Sequence, residues 1–200
     1  MLFKRLLIIL IGRWYRFNYS FFNFYIPNLS SVFSNRIIFL TIPDCQQKVY
    51  ITGKGIVTIG SGCAFGYKLG GFNRHGCVEL QARYKSAVIL IKDNVHTNNN
   101  VFLCAANHIE IGKGTLIGQH VTMMDFEAHG NEPDQRDQVG EIGKIVIGEN
   151  VWIGNNVTIL KNTEIGNNTI VAAGAVVSGR FPENMIIGGV PAKVIKRINE

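Results

Sequence analysis

Residues 147–178 read IGENVWIGNNVTILKNTEIGNNTIVAAGAVVS, and every sixth residue from Ile147 is a branched aliphatic: Ile147, Ile153, Ile159, Ile165, Val171 and Val177. The residue after each is Gly148, Gly154, Leu160, Gly166, Ala172 and Ser178, mostly very small. Four residues after the first five stand Val151, Val157, Thr163, Thr169 and Ala175. A period of six fits neither the 3.6 of a helix nor the alternation of a strand. It predicts an all-β solenoid whose coil has three short flat faces. Each aliphatic points inward onto its copy in the next coil, about 4.8 Å away. The small neighbour lets the backbone turn the corner, where a bulky Cβ or a disfavoured φ is costly. One coil alone buries little, so stability comes from stacking.

Working outward, Ile111, Ile117 and Met123 hold the same phase, and Ile91, Thr97, Leu103 and Ile59-Gly60 precede them. The step from 103 to 111 admits two extra residues near Ala105–His108. Between Met123 and Ile145 the pattern lapses into a polar, Pro-containing stretch and then resumes. That predicts a loop protruding from an otherwise continuous solenoid. Residues 66–86, with Gly70-Gly71, read as a second excursion. The expected organisation is an N-terminal segment over 1–48, a repeat domain over 49–181 with its loop at 124–144, and a cap over 182–200. In the cap, GGVPAK turn chemistry leads into a short C-terminal helix.

The 200 residues include 22 Gly and only 17% charged residues, and the net charge is +6. A basic balance favours an anionic partner, whether nucleic acid, a membrane surface or a phosphorylated cofactor. Cys45, Cys63, Cys77 and Cys104 show no CxxC and no zinc spacing, and read as free thiols of a cytoplasmic protein. At the N-terminus an apolar run from Leu6 to Ile11 follows Lys4 and Arg5, and an aromatic stretch from Phe17 to Tyr25 follows Arg13 and Arg16. The apolar run is too short to cross a bilayer, which takes roughly 20 residues. The segment reads equally as a peripheral membrane contact and as a cap on the first coils.

Over residues 88–197 the sequence resembles the hexapeptide-repeat acyltransferases, above all the galactoside, maltose and bacterial polysaccharide O-acetyltransferases. The resemblance rests on IVIGENVWIGNNVTILKNTEIGNN, VAAGAVVSGRFPEN and IIGGVPAKVIKRI. It implies a left-handed parallel β-helix, a homotrimer with shared clefts, acetyl-CoA as co-substrate, a sugar or glycan acceptor, no resident metal and no nucleic-acid partner. Surface-polysaccharide biosynthesis is the expected setting.

Direct transfer from a thioester needs a base for the hydroxyl proton, and imidazole titrates near working pH. By resemblance His129 is that base, because Pro133 and Arg136 follow at the family's spacing, with His108 and His120 as competitors for the role. Asp125 is expected to orient the imidazole, with pinning of the loop as its alternative role. Asn99 or Asn98, with Arg136, is expected at the acceptor, against a plain Asn ladder along a coil corner. On the cofactor side the resemblance implies Asn155, Ala173, Gly174 and Trp152 along the pantetheine, and Ser178, Arg180 and Lys193 toward the phosphates.

Three other readings compete. An N-acetyltransferase of a nucleotide-linked amino sugar is the near neighbour, although no GxGxxG–strand–helix unit precedes the repeats. A zinc hydratase like the γ-carbonic anhydrases would use His96, His108 and His120, spaced twelve apart but unlike in repeat position. A non-catalytic scaffold would bind no CoA.

Overall fold

The computed structural model describes residues 10–12, 14, 15 and 17–199. The sequence reading of Lys4, Arg5, Arg13, Arg16 and the run from Leu6 up to residue 9 falls outside the described residues. The chain winds into a left-handed β-helix with three parallel sheets. The first face stacks 37–39, 56–59, 88–91, 108–111, 144–147, 163–165 and 180–181. The second stacks 44–45, 64–65, 96–97, 116–117, 152–153, 170–171 and 185–189, and the third runs from 49–53 to 176–177. The stack begins at Ile37, inside the segment expected as a cap.

Register follows the six-residue phase. Ile59, Ile91, Ile111, Ile147 and Ile165 pair in sequence on the first face. Leu80, Leu103, Met123, Ile159 and Val177 do so on the third. All ten are buried. Each such side chain removed from water contributes about 1.5–3 kcal/mol, so the columns form a continuous core along the axis.

The corners divide their labour differently from the sequence reading. The small residue after each aliphatic is needed for close approach: a Cβ on Gly148 would stand 2.5 Å from Asn167 Oδ1, and one on Gly154 2.7 Å from Ala173 N. The left-handed turn itself falls two residues later, on asparagine. Asn150, Asn156, Asn162 and Asn168 have φ of 54–60°. Asparagine tolerates this region better than other L residues because its short amide bonds locally. Asn150 donates to Asn168 and Asn168 to Asn184, each at 3.0 Å, tying corner to corner.

Both ends of the stack are closed. Ser20, Phe24, Asn28 and Ser31, buried from successive helical turns, meet the first coil. Asn28 Nδ2 donates to the Val49 carbonyl, and its Oδ1 accepts from Ile51 N–H, both at 2.7 Å. At the other end the expected C-terminal helix is replaced by a strand. Ala192–Arg197 pairs antiparallel with Met185–Gly189. A helix this short is marginal in water, whereas the last strand offers a row of open backbone groups that a returning strand satisfies.

The interruptions sit at two corners. Residues 66–77 leave between the second and third faces, and residues 125–143 leave between the third and first. The latter loop is pinched by an antiparallel bridge between Phe126 and Ile142.

Candidate functional site

The loop after the strand Thr122–Met124 is fastened at its base by Asp125. This carboxylate is fully buried and accepts from three consecutive backbone N–H groups: Ala106 (2.6 Å), Asn107 (3.0 Å) and His108 (2.6 Å). Those amides lie in the stretch 105–108, where two extra residues break the period. Both oxygens of Asp125 are thus engaged with the backbone, in keeping with a loop-pinning role. Lys161 bridges Glu127 (3.3 Å) and Glu141 (2.5 Å) across the loop's two arms. Lys161 holds the Glu141 carboxyl below the usual carboxylate range, and the pairing raises Lys161 in turn.

At the tip, exposed His129 bonds through Nδ1 to the carbonyl oxygen of Arg136 at 2.5 Å. A carbonyl only accepts, so Nδ1 carries the proton, and in the neutral ring the lone pair is on Nε2. Arg136 Nη1 returns to the Gly130 carbonyl at 3.1 Å, and a 3₁₀ turn at Pro133–Gln135 closes the ring of bonds. The Arg136 side chain thus braces the loop that carries His129.

A groove of about 640 Å³ runs along the second face. Its floor is the outward row Asp44, Ala64, His96, Leu116 and Trp152, which pair strand to strand. Asn98 and Asn155 line its edge at the corner toward the third face. Asp44 Oδ1 is buried without a hydrogen-bond partner among the described residues, an acceptor that a ligand hydroxyl can satisfy. Asp44, Gln46 and Tyr67 were not singled out from sequence; extending the ladder of second-face positions back to Asp44 is the signal that finds Asp44.

The two expected acceptor asparagines separate. Asn99 is fully buried and spent: its Nδ2 donates to the Tyr67 and Gly71 carbonyls and its Oδ1 accepts from Tyr67 N–H, each at 2.9 Å. It pins the 66–77 excursion. Asn98 remains at the groove.

The expected cofactor residues fall on two edges of the prism. Trp152 and Asn155 line the groove, and Ala173-Gly174 continue its corner one coil on, where Gly174 N–H donates to the Asn155 carbonyl at 2.9 Å. Ser178 and Arg180 stand at the third-to-first corner, the edge from which the His129 loop leaves. Arg180 is exposed beside Glu164, and Lys193 projects from the terminal hairpin. Within one chain these two groups do not meet.

The three histidines of the hydratase reading scatter. His96 lies on the second face, His108 on the first beside Glu110, and His120 at a left-handed corner against Phe72. Among the described residues no group of three or more His, Cys, Asp or Glu is placed to hold a metal ion.

Residues 144–179 match the family described as bacterial transferase hexapeptide (six repeats). The chain is 33% identical over 189 residues to the putative lipopolysaccharide biosynthesis O-acetyl transferase WbbJ of Escherichia coli, covering 88% of this chain and 89% of that protein. Its fold matches AntD, an N-acyltransferase from Bacillus cereus crystallised with dTDP and 3-hydroxybutyryl-CoA, with a TM-score of 0.67 at 18% identity over 86% of this chain and 88% of that one. It also matches a galactoside acetyltransferase in complex with coenzyme A, with a TM-score of 0.53 at 22% identity over 90% and 76%. At such identities the two likenesses speak for the fold.

Proposed function

The chain belongs to the hexapeptide-repeat acyltransferases, and on that premise we propose that it transfers the acetyl group of acetyl-CoA to a sugar hydroxyl in surface-polysaccharide assembly. The observation that carries the chemistry is the bond from His129 Nδ1 to the Arg136 carbonyl. It fixes the tautomer in which Nε2 is the base. In the transfer, Nε2 takes the acceptor's hydroxyl proton as its oxygen attacks the thioester carbonyl. The C–O bond forms, the C–S bond breaks, and the imidazolium returns the proton to the departing CoA sulfur.

The active assembly in this reading is a homotrimer. His129, Ser178 and Arg180 lie on one edge of the prism and Trp152, Asn155, Ala173 and Gly174 on another. Packing the first edge of one subunit against the second edge of its neighbour joins them in one cleft. In that cleft Asn98 and Asp44 meet the acceptor, Trp152 flanks the pantetheine, and Arg180 and Lys193 meet phosphates. The enzyme works in the cytoplasm.

An N-acyl transfer is the second reading, supported by the likeness to AntD. The test is acetyl transfer from acetyl-CoA to a panel of sugars, amino sugars and their nucleotide- and lipid-linked forms, with wild type and His129→Ala. Transfer to hydroxyl acceptors, lost in the variant with CoA binding kept, supports the mechanism. Equal turnover in the variant overturns it, and transfer to amino sugars alone selects the second reading.

A further inference from the structure

The N-terminal helical segment packs on the first coil with a mixed stripe: polar Ser20, Asn28 and Ser31 alternate with apolar Phe24, Tyr25 and Val32. Its chemistry is explained by what it meets. The open edge of the first coil presents backbone groups, and these side chains answer them: Ser20 Oγ donates to the Pro43 carbonyl at 2.8 Å and Asn23 Nδ2 to the Cys45 carbonyl at 3.0 Å. Many further apolar residues of the segment are left on the outside. Trp14 is 67% exposed, Phe17 58%, Phe22 61% and Phe33 82%. Tyr15, Ile26 and Leu29 are exposed as well, as are Ile38 and Leu40 of the first coil. The rings of Phe17, Phe21 and Phe22 lie in contact, and exposed apolar groups gathered in this way mark an interaction site.

Charge selects the occupant. Lys4, Arg5, Arg13 and Arg16 accompany these aromatics in sequence, and no Asp or Glu occurs before Asp44. Aromatic and basic residues together suit the interface of an anionic bilayer, where ring bodies sit among acyl chains and cations meet headgroup phosphates. No helix among the described residues is long and apolar enough to cross a membrane, so contact of this kind is made in the interface plane. The surface also leads to the groove. A cavity of about 400 Å³ under Trp14 and Phe22 shares Tyr15 and Tyr19 with a smaller one of about 60 Å³, which in turn shares Asp44 and Gln46 with the groove on the second face.

We propose that this aromatic face docks the protein on an anionic lipid bilayer, with the track from Tyr15 to Asp44 opening the acceptor groove toward the membrane surface. The docking stands by itself. The direction of the groove rests on the reading of that groove as the acceptor site, and deepens it by naming a membrane-displayed glycan as the acceptor.

The experiment is sedimentation of the full chain with vesicles of phosphatidylcholine and phosphatidylglycerol, and with phosphatidylcholine alone, at low and high salt. Wild type and the triple variant Trp14→Ala/Phe17→Ala/Phe22→Ala are compared. The expected result is binding to anionic vesicles that salt weakens, with at least a tenfold loss in the variant. Acetyl transfer to a water-soluble sugar stays equal in the two proteins. Wild type remaining in the supernatant, equal binding to neutral vesicles, or undiminished binding by the variant overturns the proposal. So does analytical ultracentrifugation in which wild type forms a larger assembly than the variant, because a second copy of the chain then covers the face. If the wild type sediments with anionic vesicles but transfers no acetyl group, the docking stands and the functional reading fails.

Discussion

His129 and Arg136 are joined through a ring nitrogen and a main-chain carbonyl, 2.5 Å apart, so the seven-residue spacing matters for where it brings the backbone. The Arg136 guanidinium acts separately, on the Gly130 carbonyl. His129→Ala removes the base and should lower kcat by about 10²–10⁴-fold, the usual worth of positioned acid–base catalysis, with acetyl-CoA affinity unchanged. Arg136→Ala keeps the carbonyl and should cost less than about tenfold. Steady-state kinetics of both variants check the pair, and equal losses would contradict the division.

Asp125 answers for three buried amides. Asp125→Ala strands them all, and at about 1–3 kcal/mol for each unsatisfied group it should destabilise the protein by several kcal/mol. Asp125→Asn retains one acceptor oxygen and should fall between variant and wild type. Chemical denaturation measures the order. Destabilisation by alanine of under about 1 kcal/mol would show that the corner finds other partners.

Adjacent asparagines should divide stability and acceptor binding unequally. Asn99→Ala frees the 66–77 excursion and should lower the melting temperature. Asn98→Ala removes the acceptor of the Asn99 N–H at 2.8 Å and should lower the melting temperature less than Asn99→Ala, while raising KM for the acceptor by about 5–50-fold, as loss of one or two hydrogen bonds does. Thermal melts and kinetics on the same preparations separate the roles.

The clasp of Lys161 with Glu127 and Glu141 should have a definite pH window. Glu141 is depressed from its ordinary 4.5, so the stability it lends the loop is complete above that value and is lost as pH falls through the lowered folded value. Lys161 is raised from 10.5, so its share is complete below that value and fades only as pH climbs past it. Both arms of the loop are exposed and the effect is small and salt-sensitive. Limited proteolysis of residues 125–143 should be flat from pH 6 to 9 and quicken in acid, and Lys161→Met should remove the difference.

At the corners, Asn156→Gly should be nearly neutral. Asn156→Ala should cost about 1 kcal/mol, because alanine has neither the glycine freedom nor the amide that makes the left-handed region tolerable. Equal stability of the two by denaturant melts would argue against a conformational role.

The solenoid was legible because its signal is redundant: Ile147, Ile153 and Ile159 repeat one requirement, and each copy votes for the same phase. The corner asparagines repeat just as strictly at 150, 156, 162 and 168, yet they are polar and exposed, so a search for buried periodicity passes over them. The C-terminal strand was misread for a local reason. AKVIKRI is a tolerable helix by itself, and only the unpaired edge of Met185–Gly189 makes it a strand. The candidate site was legible where a motif had neighbours to anchor it, as with His129, Pro133 and Arg136. It was not where the partner lies a coil away. Nothing near Asp125 in sequence announces the amides of 106–108, and nothing near Asn99 announces Tyr67. Asp44 was invisible because its place in the groove is defined by Ala64 and His96 above it.

The sealed ends have a consequence for how copies of this chain can gather. An unplugged β-helix is a template for its own elongation, since its last strand can recruit the first strand of another molecule into an endless rod. Here asparagine and serine side chains occupy one terminus and a returning strand the other. Both covers work against growth along the axis and leave the flanks as the open sides of the solenoid.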